Sequence, residues 1–358
     1  MAVKENHQVS EIGLAAANVC ICHHKEANLR KFIGLMEEAA RQGADLLVLP
    51  ELGLQGYLDL SYSLGSAGMA RQREYYFRES ETIPGPSTLT LAQHAERLGI
   101  CVQVGLAERA LRGNVIYNST ALLGPTGLLG VYRKMHNPFE HPYFSPGEDT
   151  PVFDAGRALV ASVICYDICF PELPRSLALK GATVLLMSTA WPMRGHERGE
   201  DQYGRAMDLT VKATAFFNQM WVVASNHCER GTYSEKVDYY GGTQIVDPTG
   251  EVVGYLAQEE GLLVRRADVE GSVLKARTRS FFGLSLLQDR RPQHYGLVAD
   301  QAYMHPLNSS RGAAELAGGA TAPGRERALR GPGTRVSGAP ATSRDDPEAV
   351  PANASVVR

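Results

Sequence analysis

The sequence has 358 residues, 44% of them apolar, and a formal net charge of −3. That is length enough for one large domain or two ordinary ones with full cores, and no basic excess suggests a nucleic-acid partner. No apolar run approaches the roughly 18 residues of a membrane span. The opening Met-Ala-Val-Lys-Glu-Asn-His-Gln lacks the charged-then-apolar pattern of a secretory leader, so a cytoplasmic protein away from membranes is expected. Six cysteines, at 20, 22, 101, 165, 169 and 228, are too few for a disulfide framework in a chain of this size and are expected to be reduced. Cys20-Ile21-Cys22-His23-His24 is followed by no second ligand pair at zinc-site spacing, so no metal is expected.

In chain order, residues 12–19 read as a strand and residues 26–42 as a helix. The helix stripe is Leu29, Phe32, Ile33, Met36 and Ala40, with Gly43 past its end as a cap. The apolar run 46–49 ends at Pro50-Glu51 and reads as a strand buried on both faces. Pro84-Gly85-Pro86 breaks the chain, Ser87 is expected to cap a helix through Leu98, and 100–106 is the next strand. Strands 116–123 and 128–134 about Pro125-Thr126-Gly127 form a hairpin, which makes the sheet mixed. Residues 136–150 read as a loop. A strand at 158–164 runs into Cys165, and Pro171-Glu172 opens a helix to residue 180. There follow a strand at 183–188, a loop holding Trp191, a helix at 202–218, a strand at 220–226, a hairpin turning at Asp247-Pro248-Thr249-Gly250 and a strand at 261–267. Asp289-Arg290-Arg291-Pro292 begins an extended exit. From about residue 307, Ala, Gly, Pro, Ser and Arg replace large apolar residues and cannot offset ordering entropy. The expectation is one layered domain over 1–306 and a solvated, disordered tail over 307–358.

Cys165 sits where a strand meets a helix start, a corner that displays a side chain above the sheet and places backbone N–H groups close enough to favour a thiolate. A lone cysteine ending an apolar strand is more ordinarily a buried packing residue, so partners decide. Glu51 and Lys134 also stand at the ends of expected strands, and Glu140 in the loop beyond. In sheets of this kind ligands gather at the carboxyl ends of strands. Singly, Glu51 reads as a surface acid, Lys134 as a solvated strand end and Glu140 as a loop charge.

Leu49-Pro50-Glu51, Tyr132-Arg133-Lys134-Met135-His136 and Ile164-Cys165-Tyr166-Asp167, in that order, resemble the Glu-Lys-Cys triad of the nitrilase (carbon-nitrogen hydrolase) superfamily. The resemblance spans roughly residues 10–295 and includes Asp289-Arg290-Arg291-Pro292. It implies an α/β fold, a four-layer αββα sandwich of two stacked mixed sheets, assembled as a homodimer or larger homo-oligomer through the helices beside the cysteine. It also implies roles: Cys165 as nucleophile, Glu51 as general base and acid, and Lys134 with a backbone N–H near Tyr166 holding the oxyanion. Glu140 matches a second glutamate that would orient Lys134 and the substrate nitrogen. No metal or organic cofactor is implied.

Nitrilases proper usually have Cys-Trp-Glu where this chain has Cys165-Tyr166-Asp167, which favours amides over nitriles. Members acting on carboxylate-bearing substrates often carry an arginine four residues after the nucleophile, where its planar fork pairs with an acid. Here that position is Cys169, expected as a small packing residue, with a second thiol open to oxidation near the site as the alternative, so a neutral or cationic small-molecule amide is favoured. Tyr57 and Trp191 are candidate walls of the substrate pocket, with plain core packing an equal alternative. The expected activity is a cysteine-dependent amidase working through a thioester. An N-carbamoyl amide hydrolase or nitrilase on the same triad is the alternative, and a scaffold that kept the fold without the reaction is the reading from another class.

Overall fold

Three parallel strands stand at the centre of each of two sheets, and the helices that connect them cover the outer faces. The computed structural model describes residues 11–57, 66–138, 143–193, 197–228, 238–279 and 284–300. In the first half, β1 (Ile12–Asn18) leads through α1 (Lys25–Arg41) to β2 (Leu46–Val48), and α2 (Ser66–Glu79) and α3 (Pro86–Leu98) precede β3 (Cys101–Arg109). The chain then turns back as β4 (Ile116–Gly124) and β5 (Gly127–Arg133). The second half opens with β6 (Val152–Asp154) and repeats the plan with β7 (Leu159–Ile164), α4 (Glu172–Leu179), β8 (Val184–Ser188), α5 (Gln202–Asn218) and β9 (Trp221–Ser225). The hairpin of β10 (Thr243–Val246) and β11 (Val252–Leu256) follows, then β12 (Gly261–Ala267) and α6 (Val269–Arg279).

Strands β1, β2 and β3 pair in parallel and β4 and β5 extend them antiparallel. Strands β7, β8 and β9 are likewise parallel, extended by β10 and β11. The last two strands pair antiparallel at the other edges, β12 beside β1 and β6 beside β7.

Alternation along the strands builds the layers. Ala15 and Ala17 of β1 pack with Phe32 and Met36 of α1 and Leu91 and Ala95 of α3, while Leu14 and Ala16 turn to Val184, Leu186 and Val223 of the other sheet. On that sheet's far face, Ala161, Leu185 and Val222 meet Leu173 and Leu177 of α4 and Met207 and Val211 of α5. The result is the expected αββα sandwich. Each large side chain in these three clusters contributes about 1.5–3 kcal/mol through burial. Among the described residues no helix is long and apolar enough to cross a membrane.

Between the sheets, the strands change character toward one end. Leu14 and Ala16 give way to Asn18, Val184 and Leu186 to Ser188, and Trp221 and Val223 to Ser225, all buried. Buried polar groups need partners, and these find them across the gap. Ser188 Oγ donates to the Leu49 carbonyl and Ser225 Oγ to the Ala17 carbonyl, each at 2.6 Å. Gln103 Nε2 of β3 donates to Ser188 Oγ at 3.0 Å while its Oε1 accepts from the Ser162 hydroxyl. The two sheets are thus stitched together where their loops depart.

Some expectations need correction. Gly85, not Ser87, caps α3: Pro86 takes the first helical position, and Ser87 instead gives its N–H and hydroxyl to Glu81 at 2.8 and 2.7 Å. A five-residue 3-10 turn, Cys165–Cys169, intervenes before α4, for which Pro171 is the cap. Strand β6 lies directly after the expected loop, and α2 and α6 were not expected. Helix α2 has no continuous apolar stripe, and Tyr76 is its fully buried aromatic. In α6, Val269, Val273 and Ala276 are buried at helical spacing, a pattern legible in the sequence. The chain divides into residues 1–290 and 291–358. Of the second unit, the described residues hold the 3-10 turns Pro292–His294 and Gly296–Ala299, and the tail expected over 307–358 lies outside the described residues.

Candidate active site

Leaving β2, the chain runs through Pro50 to Glu51 and is pinned on both sides. The Leu49 N–H donates to the Gln103 carbonyl at 2.9 Å and the Leu54 N–H to the Gly105 carbonyl at 3.2 Å. A Cβ on Gly105 would lie 2.3 Å from the Pro50 carbonyl oxygen, so glycine is what lets this segment cross β3. Leu52 adopts φ 46°, a left-handed conformation that non-glycine residues seldom take. Asn28 of α1 donates to the Leu54 carbonyl at 3.0 Å, and His227 Nε2 lies 2.7 Å from the Glu51 carbonyl oxygen.

So held, the Glu51 side chain is completely buried. Its Oε1 accepts from Lys134 Nζ at 2.6 Å, Asn118 Nδ2 at 2.7 Å and the Tyr57 hydroxyl at 3.2 Å, and its Oε2 from the Ala190 N–H at 3.0 Å. Lys134 is 1% exposed. It follows β5, with its N–H bonded to the Asn118 carbonyl and its carbonyl to the Gly147 N–H, both at 2.8 Å. A carboxylate and an ammonium taken together out of water are tolerable only with such a full set of hydrogen bonds.

Cys165 enters from the second sheet. It follows β7 at φ 48°, strain of about 1–3 kcal/mol that the surroundings must hold in place. Asp167, completely buried, does much of that holding. Its Oδ2 accepts from the Ile164 N–H at 3.1 Å and the Tyr132 hydroxyl at 2.7 Å, its Oδ1 from the N–H and Nδ1 of His136 at 2.9 and 2.8 Å. Tyr132 and His136 flank Lys134 by two residues on either side, so one carboxylate ties the cysteine turn to the lysine. His136 stacks on Phe170, ring centroids 3.8 Å apart.

Burial pushes the Cys165 thiol well above its ordinary pKa and the Glu51 carboxylate adds to that, while Lys134, the Thr189 side chain and the Ala190 N–H oppose it. This reverses the favoured thiolate expected of the corner. The five-residue turn is too short a dipole to outweigh low dielectric and a neighbouring negative charge. The Ala190 N–H is bonded to Glu51 Oε2 at 3.0 Å, and Glu51 and Ala190 both bear on the charge of the Cys165 sulfur.

Of the residues singled out, Glu51, Lys134, Cys165 and Tyr57 converge, and Tyr166 follows Cys165 at the turn's start, where N–H groups have no partner within the turn. Tyr57 meets the site through its hydroxyl on Glu51. Trp191 is buried in the α4–α5 core, with Nε1 donating to the Tyr203 carbonyl at 2.8 Å, and Cys165 packs at the edge of the same cluster. Cys169 is exposed and is not the packing residue expected. Glu140 lies outside the described residues. Asn118, Ala190, Asp167 and His227 were not anticipated. Asn118 lies mid-strand, Ala190 contributes only backbone, and no local spacing marks either.

A carbon-nitrogen hydrolase family model matches residues 13–274. The chain belongs to the carbon-nitrogen hydrolase family, within the nitrilase superfamily. This hydrolase is 31% identical over 286 residues to a probable nitrilase of Schizosaccharomyces pombe, covering 78% of this chain and 94% of the relative. It is 32% identical over 281 residues to an N-carbamoylputrescine amidase of Solanum lycopersicum, covering 74% and 87%. Among solved structures, a carbon-nitrogen hydrolase from Helicobacter pylori shares the fold with a TM-score of 0.69 at 21% identity, covering 82% and 99%. An amidase from Nesterenkonia sp. aligns with a TM-score of 0.61 at 26% identity, covering 80% and 96%. The hydrolase therefore acts on carbon-nitrogen bonds other than peptide bonds.

Proposed function

We propose that this hydrolase is a cysteine-dependent amidase converting a small neutral or cationic carboxamide to its acid and ammonia through a thioester on Cys165. The observation that carries the proposal is the buried Glu51–Lys134 pair, 2.6 Å apart, beside a thiol held neutral by burial. A neutral thiol needs a base at the moment of attack, and Glu51 takes that proton as sulfur bonds to the amide carbon. The oxyanion is held by the Lys134 ammonium and the Tyr166 N–H, donors worth roughly 10² to 10³ in rate each. Glu51 then returns the proton to the departing amine, and ammonia leaves. Water, deprotonated by Glu51, attacks the thioester, and collapse of the second intermediate releases the acid and restores the thiol. Glu140 is assigned to orienting Lys134 and the substrate nitrogen, and the whole cycle takes place in the cytoplasm.

The exposed Cys169 in place of an arginine supports a substrate without a carboxylate near the nucleophile. A second reading is favoured by the N-carbamoylputrescine amidases among the relatives, 30% to 32% identical: a cationic N-carbamoyl amide, hydrolysed on the same triad with carbon dioxide released beside ammonia. Homo-oligomer assembly is supported by Leu179 of α4 and Leu209 and Phe217 of α5, which are 49%, 66% and 54% exposed.

The test is ammonia release across a panel of amides, ureas and nitriles, with mass spectrometry of the intact protein. An acyl adduct on Cys165 and turnover of uncharged or cationic amides are expected. Carbon dioxide in step with ammonia selects the carbamoyl reading. A Cys165→Ala protein that still releases ammonia at the wild-type rate overturns both.

A further inference from the structure

Cys20 and Cys228 lie at the ends of β1 and β9, one strand from each sheet. Val19 bridges His227 in parallel, the Val19 N–H donates to the Asn226 carbonyl at 3.2 Å, and the Cys228 N–H donates to the Val19 carbonyl at 3.3 Å. The next pair in that register is Cys20 and Cys228. Paired strands run about 4.8 Å apart, within the Cα separations a disulfide bridges, and in parallel pairing both side chains leave on one side. Their sulfurs are 3.1 Å apart. Cys22, two residues from Cys20, is engaged elsewhere, its sulfur 3.2 Å from Asn28 Oδ1.

We propose that Cys20 and Cys228 form a reversible dithiol–disulfide site whose oxidant is a hydroperoxide. Cys20 is half-buried and Cys228 3% exposed, which suits an attacking thiol and a shielded resolving one. The Cys20 thiolate attacks the peroxide: a sulfur–oxygen bond forms, the oxygen–oxygen bond breaks, and the leaving oxygen takes up a proton. Cys228 then attacks the resulting sulfenic acid, forming the sulfur–sulfur bond and expelling water. The two thiols lose two electrons and two protons, and hydrogen peroxide becomes two waters.

Closing the bond brings the sulfurs from 3.1 Å to about 2.05 Å. The Cys20 backbone resists movement: its N–H is bonded to Glu260 Oε1 at 3.1 Å, its carbonyl to Lys31 Nζ at 2.7 Å, and Lys31 to Glu260 at 2.7 Å. The Cys228 side is also held, its N–H donating to the Val19 carbonyl and the His227 carbonyl accepting from the Gly241 N–H, so any adjustment there passes to His227, whose ring meets the Glu51 carbonyl. Oxidation therefore disturbs the backbone that presents Glu51. This inference does not depend on which amide is the substrate.

The experiment treats the reduced full-length protein with hydrogen peroxide, quenches with catalase, and counts alkylatable thiols after denaturation. Thiols are expected to fall by two from six, with a peptide containing Cys20 joined to one containing Cys228, and dithiothreitol is expected to restore both. Six remaining thiols, a different pairing, or oxidation of Cys165 alone overturns the site. Turnover of the best panel substrate is expected to drop at least about fivefold on closure and to recover on reduction, while Cys20→Ser keeps its rate through the same exposure. Equal inactivation of wild type and Cys20→Ser, or a disulfide that leaves turnover unchanged, overturns the coupling to Glu51.

Discussion

The two halves of the hydrolase share a plan and divide the candidate site between them. Each has three parallel strands extended by a hairpin, and both hairpins turn through Pro-Thr-Gly, at Pro125-Thr126-Gly127 and Pro248-Thr249-Gly250, with the glycines at φ 98° and 85°. The strand ends differ. After β2 stands Glu51, but after the corresponding β8 stand Thr189 and Ala190, which offer a neutral side chain and a backbone N–H. The hairpin of the first half ends at Lys134, that of the second at Ala257. After β7 stands Cys165, where β1 is followed by Val19 and Cys20. In the proposed site one half supplies acid and ammonium, the other the thiol and the Ala190 N–H on which Glu51 Oε2 rests. The repeated scaffold leaves the strand ends free to differ, and the proposed chemistry rests on which side chains stand there.

Substitutions break this division in a defined order. Cys165→Ala is expected to abolish turnover while thermal unfolding and circular dichroism stay close to wild type, since it empties the second half's contribution alone. Retained turnover would show that another group attacks. In the first half, Lys134→Ala should cut turnover by at least about 10² to 10³. It should also cost about 3–5 kcal/mol of stability in urea titrations, because the Glu51 carboxylate stays buried without its counter-charge.

Gly105→Ala sharpens the comparison by moving the acid without removing it. The new Cβ meets the Pro50 carbonyl at 2.3 Å, and a displacement of about 1 Å at Glu51 predicts a loss on the order of 10²-fold in kcat. An unchanged kcat would mean that the strand yields instead. Ser188→Ala, at the seam between the halves, removes donors and acceptors for Leu49 and Gln103. It should cost about 1–3 kcal/mol with a smaller effect on rate.

The smallest effect is on pH dependence. The folded pKa of Cys165 is raised above the unfolded value of about 8.5, so the folded state binds the proton more tightly and stability falls as pH climbs. This contribution is complete below about pH 8.5 and is lost as pH rises through the folded value. Wild type minus Cys165→Ala, followed by urea titration across that range, should show the decline. A flat difference would mean that the thiol titrates like an exposed one.

Much of this was legible in the chain. Helix 202–218 and strand 261–267 match the observed bounds: Asp201 accepts from the Gly204 N–H as the helix cap, and Gly261 opens the strand. Phe32 and Met36 of the α1 stripe are fully buried as expected, yet Asn28 takes another inward place because the loop after Glu51 needs its amide. Helix α2 escaped notice since polar and aromatic residues run around its surface, and propensity alone is a weak guide.

Local order decided what repeats every two or every 3.6 residues: the strands, the connecting helices, the two hairpins and the acid, amine and thiol at the ends of their elements. Tertiary structure decided what depends on groups distant along the chain. Burial and the Glu51 charge set the protonation of Cys165, Asp167 ties its turn to Tyr132 and His136, and the sheets bring Cys20 against Cys228. Periodicity is a property of neighbours in sequence, whereas dielectric surroundings and hydrogen-bond partners belong to neighbours in space.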